Sequence, residues 1–143
     1  MAELVIDDAV VRRRLRRLDE LLQGLREVGA RSREAFLDDT MAQHATAWRL
    51  QRAIQAVLNI GAHILAERGI VDWEEYREIP QRLTRFGVLS TALAARLEKA
   101  AGQRNILVHM YVEVDPELIY ETLQEDLDAF NEFAECVLRV LED

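Results

Sequence analysis

An all-α fold is predicted by three features of this 143-residue chain. Glycine and proline together number only eight, about 6% where roughly 12% is usual, so turns are scarce and helices long. Apolar residues recur at spacings of three and four along most of the sequence, the stripe of helices with one buried face. No alternating strand pattern, hairpin dipeptide or internal repeat competes with that period. The prediction is an antiparallel bundle of four or five helices joined by short loops. A single domain over residues 1–143 is expected, long enough to bury a core without a disulfide staple.

The first helix starts at Asp7 or Asp8, both good N-caps, and runs to about Val28, with Gly29 as its stop. Its apolar stripe is Val11, Leu15, Leu18, Leu22 and Leu25; Arg12, Arg13, Arg16 and Arg17 fall opposite and read as a solvated face. Residues 32–39 can form one short helical turn. A long second helix follows over residues 40–67, with Ile54, Val57, Leu58, Gly61, Ile64 and Leu65 inward, and Gly69 closes it. Residues 70–87 hold Trp73, Pro80 and Gly87 amid mixed charge, a loop with at most one helical turn. The third main helix spans residues 89–108 on Leu89, Leu93, Leu97, Ala100 and Ala101. Asp115 followed by Pro116 is an N-cap with proline at the first helical position. From there Ile119, Tyr120, Leu123, Leu127, Phe130, Ala134, Val137 and Leu141 keep helical spacing to the end.

Charge and cysteine usage exclude several classes of function. The net charge of −8 is concentrated at the end of the chain, since residues 113–143 carry eleven acids and one base. Such a balance argues against a DNA-coating protein, which needs dense positive charge, and leaves room for a small basic site for an anion. The single Cys136 cannot form an internal disulfide, and no Cys/His spacing suits zinc, so neither a metal nor a cofactor is expected. No apolar run approaches the roughly 18 residues of a spanning helix. The first eight residues lack the pattern of a signal peptide, which makes the cytoplasm the expected location and a membrane partner unexpected.

Phosphate loops, metalloprotease motifs and nucleophile elbows are absent. His44 reads as a surface residue, His63 as a satisfied structural histidine, and Trp48 and Trp73 as core or loop anchors. The string Gly102-Gln103-Arg104-Asn105-Ile106-Leu107-Val108-His109-Met110-Tyr111 differs. Arginine is a permanently charged fork suited to phosphate, and histidine exchanges protons near neutral pH. Together they supply what metal-free RNA cleavage requires, proton transfer and stabilisation of phosphoryl charge. On one regular helix Arg104 and His109 point roughly 140° apart, and Tyr111 diverges from His109 by a further ~200°. Either the helix ends near His109 or two chains share the site, as a symmetric dimer would allow.

The spacing Arg104-x4-His109-x-Tyr111 resembles the motif of the HepT-like toxins, members of the HEPN superfamily of helical ribonucleases. Val114-Asp115, Ile119-Tyr120, the segment from Ala56 to Ile64 and Phe86-Gly87-Val88-Leu89 extend that resemblance over most of the chain from about residue 45. The resemblance implies a HEPN-like bundle acting as the toxin of a type VII toxin–antitoxin system, a metal-independent RNA endonuclease. Arg104 would hold the phosphate and His109 carry acid–base chemistry in a composite site at a homodimer cleft, with Asn105 supporting the motif or touching substrate. Tyr111 would receive AMP from a cognate minimal nucleotidyltransferase antitoxin, which silences the toxin. Asn59 stands where related sequences often carry an acid, keeping hydrogen bonding but not the charge that could hold Arg104. The alternative is a catalytically silent helical subunit that binds a nucleotidyltransferase or a nucleotide. RNA, a second copy of the chain and the antitoxin are the expected partners, and DNA is not.

Overall fold

A computed structural model describes residues 8–109 and 115–142, and within residues 104–109 the backbone alone. Seven α-helices and no strand occur among the described residues: α1 (Asp8–Gly29), α2 (Arg33–Leu37), α3 (Thr40–Glu67), α4 (Ile79–Thr84), α5 (Thr91–His109), α6 (Pro116–Glu125) and α7 (Leu127–Glu142). The all-α bundle expected from the apolar period is what the chain forms. Val11, Leu15, Leu18, Leu22 and Leu25 of α1 are all buried, joined by Leu21. They share one core with Ile54, Leu58 and Ile64 of α3, Leu93 and Leu97 of α5, and Phe130, Phe133 and Val137 of α7. Each such side chain taken from water contributes about 1.5–3 kcal/mol.

Local chemistry fixes the helix ends. Ser32 caps α2 by accepting from the Ala35 N–H, Asp39 caps α3 through Ala42, and Asp115 caps α6 through Leu118. Each side-chain oxygen satisfies an N–H that the helix itself cannot. Gly69, at φ 79°, ends α3 as the sequence suggests. There the Ile70 N–H reaches Leu65 O at 2.8 Å and the Gly69 N–H reaches Ala66 O at 3.0 Å, a closure that needs a left-handed residue at that position. Gly87, at φ 71°, closes α4 in the same manner. Gly61 serves a different purpose. A Cβ there would sit 2.7 Å from Ile79 Cγ2 and 3.1 Å from Leu83 Cδ1, so only a bare backbone lets α4 approach α3 this closely.

Three expectations are refined by the structure. The expected loop over 70–87 contains a 3-10 turn, Tyr76–Glu78, leading into α4 with Pro80 in its first turn. Ile79, Pro80 and Leu83 are too few to display a period, yet they are buried against α3 and α5. The third main helix begins at Thr91 rather than Leu89 because Ser90 Oγ accepts the Leu93 N–H at 3.1 Å and caps it. The final helical run is divided at Asp126 into α6 and α7. There Arg96 of α5 donates to the Glu125 carbonyl at 3.0 Å, and the Ala129 N–H bonds to Asp126 O instead.

The two tryptophans part company. Trp48 is 47% exposed on α3, so it is not a core anchor; the Arg52 guanidinium lies over its ring, 4.6 Å from the centroid. Trp73 is partly buried at the edge of the core and packs on Tyr76, their ring centroids 5.2 Å apart. No helix among the described residues is long and apolar enough to cross a membrane.

Candidate active site

Arg104, Asn105 and His109 lie on α5, which is helical through His109, the last described residue before position 115. Their side chains, and Tyr111 altogether, lie outside the described residues. Positions 104 and 109 are therefore five helical steps apart, roughly 140° around the axis and about 7.5 Å along it. A regular helix does not converge two such positions on one phosphate by itself. Gln103, one residue ahead of Arg104, has a buried side-chain oxygen with no hydrogen-bond partner among the described residues.

The neighbours of this stretch follow from the packing. Gln81 of α4 donates to Glu98 of α5 at 3.0 Å, and the 3-10 turn just before α4 packs on α5. Because α4 and α5 run antiparallel, carrying that register back from Gln81 sets the 3-10 turn beside the turn of α5 that leads to position 104. Glu78 pins the 3-10 turn. Its carboxylate accepts the backbone N–H groups of Glu75 at 2.6 Å and Glu74 at 2.9 Å. Those bonds, first from Glu75 and then from Glu74, hold its pKa below the ordinary carboxylate value because they favour the charged form.

A groove runs along the solvent side of the seam between α1 and α3. The two helices are antiparallel, with Gly24 of α1 under Arg49 of α3, whose Nη1 would lie 3.2 Å from a Cβ at that glycine. The same register brings Arg17 level with Ala56 and Arg14 level with Asn59. Two cavities result, about 490 Å³ against Arg14, His63, Trp73 and Tyr76, and about 300 Å³ against Arg17 and Arg52, with Asn59 lining both. Asn59 is exposed and accepts from Gln55 Nε2 at 2.8 Å. His63 departs from the satisfied histidine expected: its Nε2 is buried without a hydrogen-bond partner among the described residues and stands 3.5 Å from a Glu67 oxygen, beyond a good charge-assisted bond. His44 is exposed, as its position suggests.

Arg17 was visible in the sequence only as part of a solvated face, and it does hold an exposed pair with Glu20 at 3.1 Å. Arg14 and Arg52 carried no sequence signal of their own. Their shared location depends on the α1–α3 register, which no local spacing encodes. Among the described residues no group of three or more His, Cys, Asp or Glu is placed to hold a metal ion.

Comparison with known proteins agrees with this architecture. The chain is 26% identical over 102 residues to an mRNA nuclease HepT of Shewanella oneidensis, covering 71% of this chain and 77% of that one. It is also 26% identical over 129 residues to a tRNA nuclease HepT of Aphanizomenon flos-aquae, covering 87% and 85% respectively. Among solved structures, the toxin–antitoxin crystal structure with AMP-PNP superposes with a TM-score of 0.83 at 21% identity, covering 92% of this chain and 98% of that one. The tri-AMPylated Shewanella oneidensis HEPN toxin in complex with MNT antitoxin gives a TM-score of 0.79 at 22% identity, covering 97% and 99%. At these identities the two structures establish the fold. The model of the family described as Ribonuclease HepT-like matches residues 12–137, and the chain belongs to that family.

Proposed function

We propose that this protein is the toxin of a toxin–antitoxin pair and cleaves RNA without a metal, using Arg104 and His109. The observation that carries the reading is the family match over residues 12–137, which encloses the whole Arg104-x4-His109-x-Tyr111 string. The curated relatives named as mRNA and tRNA nucleases support the substrate class. In the proposed reaction a base removes the proton of the ribose 2′-hydroxyl and that oxygen attacks the adjacent phosphorus. The bond from phosphorus to the 5′-oxygen breaks, and an acid returns a proton to the leaving oxygen. The products are a 2′,3′-cyclic phosphate and a 5′-hydroxyl. His109 serves in proton transfer, and Arg104 neutralises the phosphoryl oxygens as charge develops. Asn105 supports the motif or touches substrate.

The angular separation of positions 104 and 109 on an unbroken helix favours a site shared by two chains. In a symmetric dimer two copies of the motif lie beside one axis, and Arg104 of one chain can meet the phosphate that His109 of the other acts upon. Silencing follows from the same site. A cognate minimal nucleotidyltransferase would transfer AMP from ATP to the Tyr111 hydroxyl, releasing pyrophosphate, and would place a bulky anion two residues from His109. The AMPylated toxin bound to its antitoxin among the structural neighbours supports this step.

The experiment is induced expression of wild type beside Arg104→Ala and His109→Ala, with growth and RNA integrity followed over time. Growth arrest with new RNA fragments in wild type alone is expected, with rate losses of about 10²–10⁴ in the variants. Fragmentation that persists in both variants would remove Arg104 and His109 from the mechanism. Folded wild-type protein beside intact RNA would leave a silent binding subunit as the better reading.

A further inference from the structure

We infer that the groove between α1 and α3 is a track for single-stranded RNA leading to the α5 motif, with the Trp73–Tyr76 pair as its base-stacking end. The identity of the ligand as RNA rests on the nuclease reading above; the track itself rests on charge, shape and position. The chain carries a net charge of −8, yet among the described residues neither groove cavity is lined by a carboxylate, and Arg14, Arg17 and Arg52 all face it. Arg17 is shared with Glu20. Neither Arg14 nor Arg52 has a carboxylate partner among the described residues. The comparable cavity between α1 and α7 sets Arg12 and Arg16 among Asp19, Glu20 and Glu135 and so neutralises itself. A polyanion is drawn to the first groove and not to the second.

Shape selects a single strand over a duplex. The groove runs beside α3 from Arg52, whose guanidinium lies over the Trp48 ring, to Ala66, a stretch of about 21 Å of helix. Aromatic rings mark both ends of it. Trp73 and Tyr76 meet at a tilt of 44° beside Val71, which is 73% exposed, and an unpaired base can stack on such a surface whereas a base held in a duplex cannot. Position ties the track to the chemistry, because the 3-10 turn bearing Tyr76 packs on α5 beside the turn that leads to Arg104. A strand lying in the groove with a base on Trp73 therefore enters the active site from the α3 side.

The test uses the His109→Ala protein, which keeps RNA whole, and a fluorescent single-stranded RNA of roughly a dozen nucleotides, with binding followed by anisotropy over a salt series. Arg14→Gln combined with Arg52→Gln should weaken binding tenfold or more and reduce the salt slope by about 1.4, the loss of two phosphate contacts. Trp73→Ala should weaken it about tenfold with the slope unchanged, and Trp73→Phe, which keeps a stacking ring, should restore it. Arg16→Gln, in the self-neutralised cavity, should bind like the parent. Groove variants that bind with the parent's affinity and slope would overturn the track. So would groove variants that turn a dimer into a monomer while RNA binding persists, since the groove would then be an interface between copies. The two readings fail separately: groove-dependent binding without cleavage by wild type sinks the nuclease and keeps the track, whereas cleavage lost in Arg104→Ala with groove-independent binding does the reverse.

Discussion

Gln43 and Gly61 show how single side chains set the positions of whole helices. Gln43 is buried, and its Nε2 donates to the carbonyls of Phe36 at 2.9 Å and Leu37 at 3.0 Å, tying the end of α2 to α3. Gln43→Leu keeps the volume but removes the donor, and should cost about 1–3 kcal/mol in urea unfolding; an unchanged midpoint would show that water replaces the bonds. Gly61→Ala forces a methyl to within 2.7 Å of Ile79 Cγ2, so α4 must shift, at about 1–3 kcal/mol. Asp126 offers a pH test. Burial raises its pKa above the ordinary carboxylate value, and Lys99 and Arg96 only partly oppose this. The folded state then holds the proton more tightly than the unfolded one, so this residue's contribution to stability falls as pH rises through the interval between the two values. Asp126→Asn should flatten that part of the stability–pH curve and stabilise the protein at neutral pH. A loss of stability there would mean that the attraction to Lys99 and Arg96 outweighs burial.

At the scale of elements, caps and crossing contacts decide where helices stop. Asp115 accepts the Leu118 N–H at 3.2 Å and starts α6 directly after the segment that holds Tyr111. Asp115→Ala should lower stability by about 1 kcal/mol while Asp115→Asn retains most of it, read from thermal melts of the three proteins; equal melts would show that Pro116 alone starts the helix. The junction of α6 and α7 was not legible because its cause lies 29 residues away, in the bond from Arg96 to the Glu125 carbonyl. Apolar spacing continues unbroken across Asp126 even though the backbone does not. The Glu78 bonds to Glu75 and Glu74 work more locally. Since they lower the Glu78 pKa, their contribution is present above the ordinary carboxylate value and is lost as pH falls through the lowered one.

For the whole molecule, the proposal of a site shared by two chains makes a distinctive demand. If Arg104 of one chain works with His109 of the other, a dimer of Arg104→Ala with His109→Ala contains one intact site. Random subunit exchange between two inactive variants should then recover about a quarter of wild-type cleavage. Mixtures that exchange subunits and stay inactive would place both residues in one chain's site. AMP addition adds a second whole-molecule outcome: coexpression with the nucleotidyltransferase should raise the mass of wild type and leave Tyr111→Phe unchanged. A constant wild-type mass would sink Tyr111 as the point of control.

What the sequence determined by itself is whatever depends on neighbours three and four residues apart. The stripe of Val11, Leu15, Leu18, Leu22 and Leu25, the inward face of α3 and the caps at Asp115 and Gly69 are local, and each is where the residues put it. The Arg104-x4-His109-x-Tyr111 string was equally legible, since the chemistry of a side chain travels with its identity. Tertiary structure alone decided the rest, because contacts between helices depend on register and crossing, which no short window contains. It exposed Trp48 and drew Trp73 to the edge of the core. It folded Ile79, Pro80 and Leu83 into a helix that their own sparse pattern does not announce. It also laid Arg14 level with Asn59 across two antiparallel helices, making a basic groove in an acidic protein from residues 45 positions apart in the chain.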